Sequence, residues 1–102
     1  MARFDLYRVG TWHVPLLVDV QADILEEFDS RVVIPLRAVG PADELSLPRL
    51  KPVLLVEGQP HILITTDIGA QPLHWLGQPV GNIEAEHRDT ITAAMDFLFQ
   101  GF

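Results

Sequence analysis

The chain has 102 residues, no cysteine and a formal net charge of -7, from 14 acidic against 7 basic side chains. This length suits one domain spanning 1-102, with oligomerisation as a source of extra stability, since a chain of this size buries only a modest part of its surface. The missing cysteines exclude a disulfide framework, a thiolate nucleophile and a Cys-based zinc site, and the acidic balance argues against direct nucleic-acid binding, which draws its affinity from phosphate neutralisation.

In chain order, Arg3–Val9 is expected as a strand, with Phe4, Leu6 and Val9 apolar and Tyr7 out of phase. Leu16–Gln21 is a stronger strand: Leu16, Val18 and Val20 share one face, and Leu17, Asp19 and Gln21 the other. Arg31–Ala38 is β-branched and apolar, but Pro35 cannot donate to a ladder, which puts it at an edge, a bulge or a bend. Gly40–Pro52 holds three prolines and alternating charges and reads as a long surface loop. Val53–Val56 and Ile62–Thr66 flank Glu57-Gly58, the spacing of a hairpin. Pro72–Leu76 is expected as a short strand ended by Gly77, and Val80 as the start of another.

From Glu84 to Phe99 the period changes. Ile91, Ala94, Met95 and Leu98 fall on one helical stripe, the acidic residues Glu84, Glu86 and Asp89 suit a helix N-terminus, and Gly101 is placed as a C-terminal breaker. Asn82 is the candidate N-cap, with Glu84 as competitor. The outline is an antiparallel β domain followed by one C-terminal helix. Hydrophobic residues make up 48% of the chain, enough for a packed core. The N-terminus lacks the apolar stretch of a signal peptide, and no window approaches the ~20 apolar residues of a membrane span, so the expected compartment is cytoplasmic.

Few residues suggest catalysis. His13, His61, His74 and His87 lie on different expected elements without HExxH-type spacing. Glu84 and His87 share a helical face, an arrangement that more often marks a solvated pair than a metal site, and no metal or cofactor is expected. Thr65-Thr66-Asp67 could hold a hydroxyl beside a base; the plainer reading is a strand end whose side chains bond the backbone. Asp19 and Asp23 could form a carboxylate pair, with an ordinary polar face as the plainer reading. No phosphate-cradling Gly loop and no GxSxG motif occur.

The end of the chain carries more. Phe97-Leu98-Phe99-Gln100-Gly101-Phe102 places more aromatic side chains at a helix terminus than the core stripe needs. Either Phe102 folds back as a cap, or the terminus is an exposed apolar anchor of the kind that carries interface energy.

On these residues the chain resembles the CcdB toxins of toxin–antitoxin pairs. The matching segments are Leu17–Asp23 (LVDVQAD) with Ile24, Arg31–Leu36 (RVVIPL), Pro52-Val53, Thr65–Asp67 (TTD), Pro72, Gly77 and Val80, and the terminal Phe99-Gln100-Gly101-Phe102, where the family typically has Phe-Trp-Gly-Ile. The resemblance implies a mainly β fold with a C-terminal α-helix: an SH3-like barrel with a small extra antiparallel sheet. It implies a homodimer, and a gyrase poison rather than an enzyme, one that traps the DNA-cleaved state of the gyrase A subunit. It carries gyrase contacts over to Ile24, Leu25, Gln100, Gly101 and Phe102, with Asp96 in support. It also implies neutralisation by a CcdA-like antitoxin, whose disordered tail folds on binding. That footprint is expected around Val9–Val14 and Leu45–Leu50, with Val9, Trp12, Val14, Leu45, Leu47 and Leu50 as contacts. The toxin–antitoxin complex would repress its own operon, with DNA contacts coming from the antitoxin.

One departure is Gln100, which stands where the family Trp stacks on an arginine of gyrase. Two other readings remain. One is a MazF- or Kid-like endoribonuclease on the same fold, although the 7 Lys and Arg offer no evident cationic site for a scissile phosphate. The other is a non-toxic interaction domain that has lost gyrase binding.

Overall fold

Among the residues described by the computed structural model, namely 2–10, 15–25, 27–43, 45 and 47–102, seven strands and two helices follow in order. They are β1 (Asp5–Arg8), β2 (Leu16–Asp19), β3 (Ser30–Ala38), β4 (Val53–Val56), β5 (Gln59–Leu63), β6 (Gly69–Pro72), α1 (Leu73–Leu76), β7 (Gly81–Asn82) and α2 (Glu84–Gln100). Short 3-10 turns occupy Asp23–Leu25 and Thr65–Asp67. His13, Trp12 and Val14 lie outside the described residues.

All strand pairs are antiparallel, in the order β4-β5-β3-β2-β1-β7, with β6 paired to β3 as well. The result is a curled sheet, a half-barrel with a C-terminal helix, as expected from the resemblance. Strand β3 organises it. Strand β2 runs along one side; on the other, β5 pairs with Leu36–Ala38 and β6 with Ser30–Val33.

Pro35 sits where β3 changes partner. Val20 N–H donates to Val32 O at 2.9 Å, and Leu17 faces Pro35 in the same register, so Pro35 points its backbone groups away from β2. Its carbonyl accepts Ile64 N–H at 2.9 Å. The reciprocal bond is one a proline cannot make, and there β5 ends and the chain enters the Thr65–Asp67 turn.

Alternation gives the sheet two apolar faces. One carries Leu6, Leu16, Val18, Ile34, Leu36 and Leu63 and packs against Ile91 and Ala94 of α2. The other carries Tyr7, Leu17 and Val33, covered by Leu76 of α1. Tyr7 is therefore not a flaw in the β1 pattern: both faces are buried. The β4–β5 hairpin closes through Glu57 (φ 55°) and Gly58 (φ 78°), whose positive angles are those of the two-residue type I′ turn.

Several expected boundaries move. β1 and β2 are shorter than the expected strands, and Thr65 lies in a turn rather than on a strand end. The largest correction concerns Pro72–Leu76. The strand there is Gly69–Pro72, and Leu73–Leu76 is a turn of helix entered from Pro72 at its N-cap. Pro72 suits a helix entry because it has no N–H to leave unsatisfied, and Leu76 then faces the second core.

Candidate functional site

The C-terminal surface is built by α2. Asn82 Oδ1 accepts Glu84 N–H at 2.9 Å, although the cap residue itself is Ile83, one place beyond the expected Asn82. Glu84 pairs with Arg88 at 3.6 Å, and His87 places Nε2 2.7 Å from Leu55 O on β4. The Glu84/His87 pair is thus divided between two other partners. Ile91 and Ala94 anchor the helix to the sheet.

At its other end Gly101 adopts the left-handed conformation (φ 80°) and donates its N–H to Phe97 O at 2.9 Å. The chain leaves the helical path at that point. Phe102 does not fold back as a cap: it is 76% exposed, beside an exposed Phe99, Gln100 and Gly101. Asp96 is exposed one helical turn before Gln100.

Ile24 and Leu25 lie on the 3-10 turn that follows β2. Leu25 N–H donates to Ala22 O at 2.9 Å, Gln21 Nε2 donates to Leu25 O at 2.8 Å, and Arg3 N–H donates to Asp23 Oδ1 at 2.7 Å. These bonds hold Ile24 outward, 88% exposed, with Leu25 and Phe28 exposed beside it in sequence. Sequence reasoning missed Phe28, an aromatic set among charges in Glu26–Ser30 and so visibly out of place for a loop. Among the described residues no hydrogen bond or ion pair joins this turn to the helix tip.

The residues expected to meet the antitoxin fall into two regions. Val9 is half-buried and lines a groove of about 550 Å³ with Leu17, Pro35, Leu76 and the largely exposed Trp75. Trp75 was also missed, because a strand assignment for Pro72–Leu76 hides an outward-facing helical aromatic. Leu45 and Leu47 are exposed over a smaller cleft lined by Arg37, Lys51 and Ile62, while Leu50 is half-buried. The loop is tied down by Arg37 and Asp43 (3.1 Å), and the Arg37 hydrogen bond holds the Asp43 carboxyl below the usual range.

The second sheet face contains a polar set that the sequence reading left as an ordinary surface. Asp19 and Arg31 are wholly buried and paired: Arg31 Nε donates to Asp19 Oδ2 at 2.6 Å and Nη2 to Oδ1 at 3.0 Å. Burial pushes the Asp19 carboxyl up, against the pull of the Arg31 hydrogen bonds. Burial likewise disfavours the charged guanidinium, but the hydrogen bonds and charge of Asp19, joined by the charges of Tyr7 and Asp23, together outweigh it and hold Arg31 protonated. Asp23 accepts the Arg3 N–H and acts on Arg31 through its charge alone, without forming a carboxylate pair with Asp19. Tyr7 beside them is pushed up to about 12, first by burial and then by the charges of Asp5 and Asp19. Among the described residues Tyr7 Oη, Arg31 Nη1 and Thr65 Oγ1 have no hydrogen-bond partner. The Thr65 hydroxyl therefore bonds no backbone group among the described residues, and Asp67 is exposed rather than poised as a base. Among the described residues no group of three or more His, Asp or Glu could hold a metal ion, and no helix is long and apolar enough to cross a membrane.

Exposed apolar side chains thus stand on a helix tip, a turn and a loop, all carried by one curled antiparallel sheet. The chain belongs to the CcdB family: the family model described as CcdB protein matches residues 3–101. It is accordingly a toxin of the toxin–antitoxin kind.

Proposed function

We propose that the chain acts on the gyrase A subunit, holding gyrase in its DNA-cleaved state. The carrying observation is the tip of α2, where Gly101 ends the helix and leaves Phe99, Gln100 and Phe102 in solvent. Asp96, Gln100, Gly101 and Phe102 form the gyrase contact, with Ile24 and Leu25 completing it. Binding one state of a cycling enzyme more tightly than the others shifts its population toward that state, without bond-making by the toxin.

The working form in this reading is a homodimer in the cytoplasm. A second copy would bring another tip and another Ile24–Leu25 turn into one surface, and the exposed Phe28 and Phe99 are among the apolar side chains such a contact could cover. A cognate antitoxin neutralises the toxin through Val9, Trp12, Val14, Leu45, Leu47 and Leu50, and the complex represses their operon through the antitoxin's DNA contacts.

The test is expression of the wild type and of a chain stopped after Phe99, in hosts with a sensitive or a resistant gyrase A subunit. Killing should need both the last three residues and the sensitive allele, and purified gyrase should accumulate cleaved DNA with the full chain only. Toxicity indifferent to the gyrase allele would defeat the proposal, and RNA cleavage by the truncated chain would favour the endoribonuclease reading.

A further inference from the structure

Two surfaces that lie far apart in sequence meet at one contact. The Arg49 guanidinium lies over the Phe97 ring, 4.5 Å from its centroid. Arg49 is presented by a closed turn: Leu50 N–H and Lys51 N–H both donate to Leu47 O, at 3.1 and 2.9 Å, and Leu47 takes a left-handed φ of 62°. Phe97, half-buried, supplies the carbonyl that receives Gly101 N–H. The ring that Arg49 covers thus belongs to the residue whose backbone ends the helix and directs Phe102 outward. Asp96 precedes it, and Gln100 lies in the same helical turn.

We propose that Arg49 is a positioning residue for the helix tip: the turn Leu47–Lys51 clasps Phe97 and steadies the last turn of α2. Coupling of this kind is reciprocal, so a ligand on the tip also steadies the turn. The consequence for gyrase rests on the function proposed above; the clasp itself does not.

The experiment is residue-level amide exchange on the full chain, for wild type, Arg49→Met, Phe97→Leu and the double variant. The reporters are Gly101 and Lys51, whose N–H groups close the tip and the turn, with Ile91 as a check that the fold is intact. Each single change should speed Gly101 and Lys51 together by about two- to fivefold, the double variant should add little, and Arg49→Lys should restore part of the protection. Faster exchange at Lys51 with Gly101 unchanged in Arg49→Met would overturn the clasp. A second arm measures cleaved DNA with purified gyrase, where Arg49→Met should fall by about two- to fivefold. Equal cleavage by Arg49→Met and wild type would remove the positioning role. No cleavage even by wild type, with exchange still coupled, would sink the gyrase reading and leave the clasp standing.

Discussion

Arg31 on β3 and Asp19 on β2 are diagonal neighbours on one face of the sheet, joined by two hydrogen bonds and shut off from solvent on every side. Taking both charges out of water is costly, and the pair is offset by its own attraction and by the hydrogen bonds around it: Arg31 Nη2 also reaches Gln21 O at 3.3 Å, and Gln21 N–H donates to Asp19 Oδ1 at 3.0 Å. The centre of the sheet is thereby tied to the stretch leading into the Ile24 turn.

Arg31→Met should strand a buried carboxylate and lose about 3–5 kcal/mol of stability, measured by urea unfolding at fixed protein concentration. Adding Asp19→Leu should recover much of that loss, because a buried ion pair contributes little over packed apolar groups. A single variant within about 1 kcal/mol of wild type would mean that the pair is not a sealed unit.

Tyr7 is the only tyrosine, so tyrosinate absorbance reports it alone. Its folded pKa of about 12 lies above the ordinary 10. Below pH 10 both states keep the proton; above it the unfolded chain ionises first. Stability should therefore fall as pH rises from 10 towards 12, by about 1.4 kcal/mol for each pH unit. Tyr7→Phe should remove that dependence, and at neutral pH it should be neutral or slightly stabilising, since the phenol oxygen has no partner to lose among the described residues.

On the gyrase function proposed above, Gln100→Trp should raise the yield of gyrase cleavage complexes. In the family this position stacks on an arginine of gyrase, and a cation–π contact contributes about 0.5–2 kcal/mol, or roughly two- to thirtyfold in affinity. Equal potency of the two proteins in a cleavage titration would show that the position has lost its role in this chain.

Glu57→Asn should stabilise the β4–β5 hairpin by about 0.5–1 kcal/mol, because asparagine accepts a positive φ more readily than glutamate. The Arg8–Glu57 pair it removes, at 3.2 Å, is half in solvent on both sides and adds little. Thermal unfolding measures the difference, and a lowered midpoint would assign that pair a real share of the stability.

Legibility from sequence followed the physics of each segment. β2 and α2 were readable because apolar side chains recur at the period of the element that buries them. β6 was not: Gly69-Ala70-Gln71-Pro72 has no strand-forming side chains, and backbone pairing with β3 makes it a strand. The Asp19–Arg31 pair joins residues twelve apart through a register that no local pattern encodes. The terminal aromatics and Gly101 could be seen as a candidate tip, but whether Phe102 pointed outward depended on the left-handed turn at Gly101. Trp75 and Phe28 escaped notice because exposure is decided by what covers a residue, and an isolated side chain in a sequence carries no sign of that.

The half-barrel leaves β4 at the rim of the sheet, with Val53 and Leu55 both turned to solvent. A rim strand of this kind can template the next molecule, and here the His87 imidazole occupies Leu55's carbonyl. The helix that displays the tip also guards the rim. Variation that loosens α2 would therefore carry a second penalty, a bared strand edge on which free copies of the toxin could pair and clump.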